Sequence, residues 1–203
     1  IAEAKRVYLT NTEALLHGDL HTGSLMVTNT DTRVIDPEFA FFGPIGYDLG
    51  TLFANLVINR LSHRVHTPDA AERAEMEAWL DGCLVDTWST FARVFDERWQ
   101  RHEGDGATPA AYWDFDGGPQ AFAHRRAGYL ARVLVDSASQ GGCEMLRRLM
   151  GIVTVPELGA ITDNDLRAEI ETDLAAIARR WLLDAEQITR PEDLLVAVHE
   201  VIG

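Results

Sequence analysis

A mainly α-helical domain with one small β-hairpin near its start is the fold the sequence predicts, on three observations. Apolar residues recur at helical spacing over most of the chain beyond residue 48. Two short runs, Leu25-Met26-Val27-Thr28-Asn29 and Arg33-Val34-Ile35-Asp36, flank the turn-rich Thr30-Asp31-Thr32 and read as paired strands. An apolar share of 46% over 203 residues supports one domain with a sizeable core, not two large ones.

Along the chain, residues 1–14 read as the end of a helix, and 17–24 as a tight loop before the hairpin. The hairpin is too short to be stable alone and must rest on helices. From Asp48, the residues Leu49, Leu52, Phe53, Leu56 and Val57 mark a helix ending near His63. Residues 69–101 form a long amphipathic stretch. Met76, Trp79, Leu80, Cys83, Leu84, Thr87, Trp88 and Phe91 line its expected apolar face, as core packing and not as a cofactor box. The glycine-rich stretch 102–118, around Tyr112-Trp113, reads as an inserted loop. Helix resumes from about Pro119 to Met150, and another runs from near Asp163 to about Leu183. Thr189 and Glu192 make a capping box for the last helix, with Pro191 in its first turn.

A net charge of −14 argues against a nucleic-acid or anionic-membrane partner. It leaves room for a nucleotide, because metal ions and a local basic cluster can screen phosphates. No apolar run approaches the eighteen or so residues of a membrane helix. Cys83 and Cys143 stand apart, without CxxC or histidine-rich company, so two buried thiols in a reduced, cytoplasmic setting are expected.

The chemistry-bearing residues bracket the hairpin. Asp19 precedes it in His17-Gly18-Asp19-Leu20-His21-Thr22-Gly23-Ser24, and Asp36-Pro37-Glu38 follows it, with Asp36 seventeen positions after Asp19. Either motif alone is compatible with a structural turn. Because a hairpin returns the chain to its origin, the two loops should lie side by side, with three carboxylates converging. Divalent metal relieves such repulsion, and magnesium takes one or two protein carboxylates plus substrate phosphates. A carboxylate that deprotonates a hydroxyl beside metal-neutralised phosphates is what phosphoryl transfer needs.

The His-x-Asp loop, hairpin and second Asp resemble the C-terminal lobe of the protein-kinase-like superfamily. The His-Gly-Asp-Leu-His form is similar to its aminoglycoside phosphotransferase and choline kinase branch. HGDLHTGS, then VIDPEFAFFGPIGYDLG, then Gly141-Gly142-Cys143-Glu144-Met145-Leu146-Arg147-Arg148-Leu149-Met150-Gly151-Ile152 resemble the methylthioribose kinase family over essentially the whole chain. The resemblance implies that residues 1–203 form a kinase C-terminal lobe, with catalytic loop 17–24, metal motif 36–38 and a helical remainder. Asp19 would be the base that takes the proton of the 1-hydroxyl of 5-methylthioribose. Arg147 and Arg148 would bind the sugar and stabilise the transferring phosphoryl group. Asp36, Pro37 and Glu38 would bind ATP, with Asp36 and Glu38 at magnesium. Ser24 stands where the wider branch has a metal-binding asparagine, and Glu38 is expected to replace it.

From pattern alone, a surface pair with one solvated member is the favoured reading of adjacent arginines, which point about 100° apart on a helix. Apolar neighbours instead suggest a mostly buried segment. Arg125-Arg126 is expected to face solvent or pair between helices. Asp48, after Gly43-Pro44, would cap a helix and brace the catalytic loop; His17 and His21 would anchor that loop. Trp113 is a candidate to lie over the sugar site.

The resemblance also implies an upstream lobe that grips ATP. Lys5 is the only lysine, and no glycine-rich loop with a following strand lysine is present. The chain is therefore expected to be part of a longer kinase of methionine salvage, a cytoplasmic homodimer when complete, and poorly active alone. Two alternatives stand beside this: another small-molecule kinase of the same branch, and a catalytically inactive kinase lobe that only binds.

Overall fold

The computed structural model describes residues 1–101, 109–151 and 155–202. A short helix α1 (Ala2–Thr10) leads into strand β1 (Ala14–Leu16). Strands β2 (Leu25–Val27), β3 (Thr32–Val34) and β4 (Phe41–Gly43) follow, and then come the helices. These are α2 (Ile45–His66), α3 (Ala70–Gln100), α4 (Gly118–Met150), α5 (Pro156–Gly159), α6 (Asn164–Leu183) and α7 (Pro191–Ile202). Single 3-10 turns occupy Thr22–Ser24, Ala110–Trp113 and Ala185–Gln187.

The expected hairpin is present: β2 pairs antiparallel with β3, Leu25 opposite Val34 and Val27 opposite Thr32. A second pair was not expected. β1 and β4 run antiparallel outside it, with Leu16 opposite Phe41 and Ala14 opposite Gly43. Residues 1–14 are thus not all helix. The two nested pairs leave 17–24 and 35–40 as the two connections between outer and inner strands.

Helix α2 is the centre of the core and is buried nearly all round from Leu49 to Ser62, as a helix enclosed by others must be. Phe53, Ile58 and Leu61 from α2 meet Leu134 and Met145 of α4, while Leu174 and Trp181 of α6 close the other side. The indole N–H of Trp181 donates to the Leu194 carbonyl (3.1 Å), tying α7 to α6. Helices α2 and α4 touch backbone to backbone. A Cβ on Gly50 would lie 2.4 Å from the Ser137 carbonyl oxygen, and one on Gly141 would lie 2.7 Å from the Trp181 ring. Side chains at either position would force the helices apart.

Helix α3 corrects one expectation. Its buried stripe is Leu80, Leu84 and Trp88, whereas Trp79 is 62% exposed and Met76 is also exposed. The stripe repeats every four residues and is narrower than the face expected from the helical spacing. Neither cysteine is fully buried, which corrects the expectation of two buried thiols. The last helix begins one residue later than its capping box implied. The Asp193 carboxylate, not Glu192, accepts the Thr189 and Arg190 N–H groups (2.9 and 3.2 Å). Part of the expected 102–118 loop, residues 102–108, lies outside the described residues, as does Ile152; 110–113 form a 3-10 turn and 118 already belongs to α4. Among the described residues no helix is long and apolar enough to cross a membrane.

Candidate active site

The 17–24 loop is anchored through its own backbone donors. His17 N–H and Gly18 N–H donate to the two oxygens of Asp48, at 2.6 and 3.0 Å. Asp48 lies in the first turn of α2, so the loop is fastened to the core helix. It braces the loop as expected but does not cap α2, whose first N–H (Ile45) donates to Glu13 instead. Burial pushes the Asp48 carboxyl up, and the two backbone bonds oppose that shift by favouring the charged form.

His17 ties the loop to the residue that follows β3. Its Nε2 lies 2.8 Å from the Ile35 carbonyl oxygen, and the Asp19 N–H donates to its Nδ1 at 3.3 Å. A carbonyl only accepts and an N–H only donates, so both bonds together require a neutral ring protonated on Nε2. His21 closes the next turn by accepting the Gly23 N–H on Nδ1 (3.0 Å), with Nε2 3.6 Å from Asp19 Oδ2. Ser24 is buried, and its hydroxyl donates to the Asp19 carbonyl oxygen (3.1 Å). That hydroxyl is occupied in holding the loop.

The two loops do lie side by side. A Cβ on Gly18 would meet the Phe39 carbonyl oxygen at 2.1 Å, and Ile35 N–H donates to the Ser24 carbonyl (3.0 Å). Asp36, Pro37 and Glu38 are exposed at this junction. Asp36 adopts φ +66°, the one left-handed non-glycine residue among those described. That conformation costs about 1–2 kcal/mol for an L-residue, least for Asp and Asn, and such strain concentrates at functional sites. The three carboxylates, however, do not gather as expected: among the described residues no group of three His, Cys, Asp or Glu is disposed to hold a metal ion. Asp48 accepts from His17 and Gly18, the two residues before Asp19, and the Asp19 carboxylate lies toward α4.

What it faces is the twin-arginine segment. Arg148 Nη2 lies 3.6 Å and Arg147 Nη2 4.0 Å from Asp19 Oδ1. Arg147 and Met150 are exposed, whereas the Arg148 side chain keeps only 12% of its exposure and Gly141, Gly142, Glu144 and Met145 are buried. Glu144, which no sequence reading singled out, aims both arginines. It is 5% exposed; Arg147 donates to it at 2.7 and 2.9 Å, and Arg148 at 2.7 Å. The only signal for it in the sequence is an acidic residue three and four positions before a pair of arginines. Tyr47, on α2 beside this cluster, has its phenol pushed up to about 12 by burial and by the Glu144 charge.

Two other expectations resolve elsewhere. Arg126 pairs between helices with Asp96 of α3 (2.7 Å) and lies 4.5 Å over the Phe122 ring, while Arg125 is exposed. Trp113 stacks on Phe122 near the start of α4. Arg147 is twenty-five residues further along that helix, roughly 37 Å at its rise, so Trp113 does not cover the site.

This helical lobe carries the β2–β3 hairpin between the 17–24 and 35–40 loops. Residues 4–81 match the family described as "Phosphotransferase enzyme family", and the fold is that of the C-terminal lobe of a protein-kinase-like protein. Within this class the relatives are methylthioribose kinases. The chain is 35% identical over 98% of its length to Methylthioribose kinase 1 of Oryza sativa subsp. japonica. It is 36% identical over 94% to the methylthioribose kinase of Escherichia coli O45:K1, and 37% over 95% to that of Geobacillus kaustophilus. The chain spans about half the length of these curated relatives, 46%, 45% and 43% respectively.

Proposed function

We propose that residues 1–203 are the C-terminal lobe of a kinase that transfers phosphate from ATP to the 1-hydroxyl of 5-methylthioribose, a step of methionine salvage. The observation that carries this is Asp19, a carboxylate on a braced loop, faced by two guanidiniums from the last turn of α4. Asp19 takes the hydroxyl proton, and Arg147 and Arg148 hold the sugar and the charge that develops on the phosphoryl oxygens. The named activity of the relatives supports this choice of acceptor.

Asp36 and Glu38 suit magnesium by their chemistry. They are two hard oxygen donors, exposed on one loop, which matches the one or two carboxylates that magnesium takes beside phosphates. When bound, the metal neutralises phosphate charge; Asp36, Pro37 and Glu38 would form the ATP side of the site. The same reading takes the whole protein to be a cytoplasmic homodimer, in line with the resemblance.

The test is phosphorylation of 5-methylthioribose by the full-length protein with ATP and magnesium, compared with Asp19→Asn. We expect the substitution to lower kcat by roughly a hundredfold or more, the size of a lost general base, while nucleotide binding persists. Robust turnover by the variant would sink the assignment. Preference for choline or an amino sugar would favour another kinase of the branch, and the absence of any transfer would favour a binding module.

A further inference from the structure

We infer that Glu144 is a positioning residue that restrains Arg147 and Arg148 from closing on Asp19, which leaves that carboxylate open to receive a proton. The inference deepens the proposed kinase reading and rests on it.

The geometry divides the two guanidiniums unequally between two carboxylates. Glu144 Oε2 accepts from Arg147 Nε (2.7 Å), and Oε1 accepts from Arg147 Nη2 (2.9 Å) and Arg148 Nε (2.7 Å). These are full charge-assisted hydrogen bonds. The distances to Asp19, 3.6 and 4.0 Å, lie beyond that range. Charge alone would not produce this split, because both carboxylates are within reach of the same pair. Glu144 prevails through placement. It sits three residues beyond the Gly141 crossing, on the rigid part of α4, and precedes the arginines by three and four residues.

Burial makes the restraint consequential. Arg148 is nearly enclosed, so without Glu144 it cannot simply turn into water. Asp19 is then the remaining acidic ion-pair partner of both arginines among the described residues. Closure would occupy the Asp19 oxygens that the acceptor hydroxyl must approach. With Glu144 in place, one negative and two positive charges leave a single net positive charge facing Asp19. That is enough to steady an anion without capping it. Arg147 Nη1 and both Nη groups of Arg148 stay unbonded to Glu144 and are free to meet anionic oxygens.

The experiment is Glu144→Gln in the full-length protein, which keeps the shape and removes the charge. Its kcat is expected to fall roughly tenfold or more, with the KM for 5-methylthioribose changing by less than about threefold. In the variant's crystal structure the guanidinium nitrogens should lie within about 2.9 Å of Asp19. Glu144→Asp retains the charge and should recover part of the lost kcat. A variant that keeps kcat within about twofold of wild type, or whose arginines stay at their present distance from Asp19, overturns the inference. If Glu144→Gln does not fold, Glu144→Asp decides through the same distances, and closure on Asp19 there counts against the inference. Failure of the wild-type protein to phosphorylate 5-methylthioribose would count against the proposed function instead, and the structural readout would still judge Glu144.

Discussion

Gly18 takes φ +86°, and the space its missing Cβ would occupy is filled by the Phe39 carbonyl. Backbone freedom and close approach are needed at one position, next to the candidate base. Gly18→Ala should therefore cost about 1–3 kcal/mol of unfolding free energy, from left-handed strain and the clash together. A lower denaturant midpoint and a lower kcat, as Asp19 is displaced, are the readouts. The His-Gly-Asp loop was legible in the sequence because its residue types are unusual together. The strained φ of Asp36 was not legible, since it arises only when the loop after the hairpin folds back over Gly18. Glu144 was hidden for a related reason. A buried acid and a solvated one look alike until it is known which side of the helix meets the loop.

At the scale of elements, α4 carries the arginines to the loop because it crosses α2 at Gly50 and Gly141 without intervening side chains. Gly141→Ala should overpack this crossing, costing about 1–3 kcal/mol and lowering the melting midpoint. The same change at Gly82 of α3, where nothing lies within 4 Å, should instead stabilise by about 0.5–1 kcal/mol through helix propensity. Long periodic helices were read correctly to within a few residues. The outer strand pair was missed because β1 and β4 have three residues each, too few to show a period. The capping box was read one residue early: Asp193 has the same spacing from Arg190 that Glu192 has from Thr189, and only the accepted bonds separate them.

Over the whole molecule, a charge of −14 makes carboxylates crowd one another, and Asp136 is where this bears on stability. It is 6% exposed on α4, and burial, reinforced by Glu13, Glu186 and Glu3, pushes its carboxyl up to about 6 despite Arg132. Its ordinary value is 3.8, so the folded state prefers the protonated form. The stability it confers is complete below that value and is lost as pH rises through about 6. Asp136→Asn, which cannot ionise, should gain on wild type in melting midpoint as pH rises from 4 to 7, and hold a constant lead above. A lead independent of pH would show that Asp136 does not titrate in this range.

The sequence by itself determined the helical class, the inner hairpin, the loop with Asp19 and Asp36-Pro37-Glu38, and the candidacy of Arg147 and Arg148. All of these lie in short stretches where residue type and spacing carry the information. The tertiary structure decided that Arg147 and Arg148 face Asp19 and that Glu144 aims them. It also decided that Trp113 is remote and that the three carboxylates do not share one cluster. Asp19 and Glu144 are 125 residues apart in the chain. Only the packing of α4 across α2, through two glycines whose role no local pattern announces, brings them to one site.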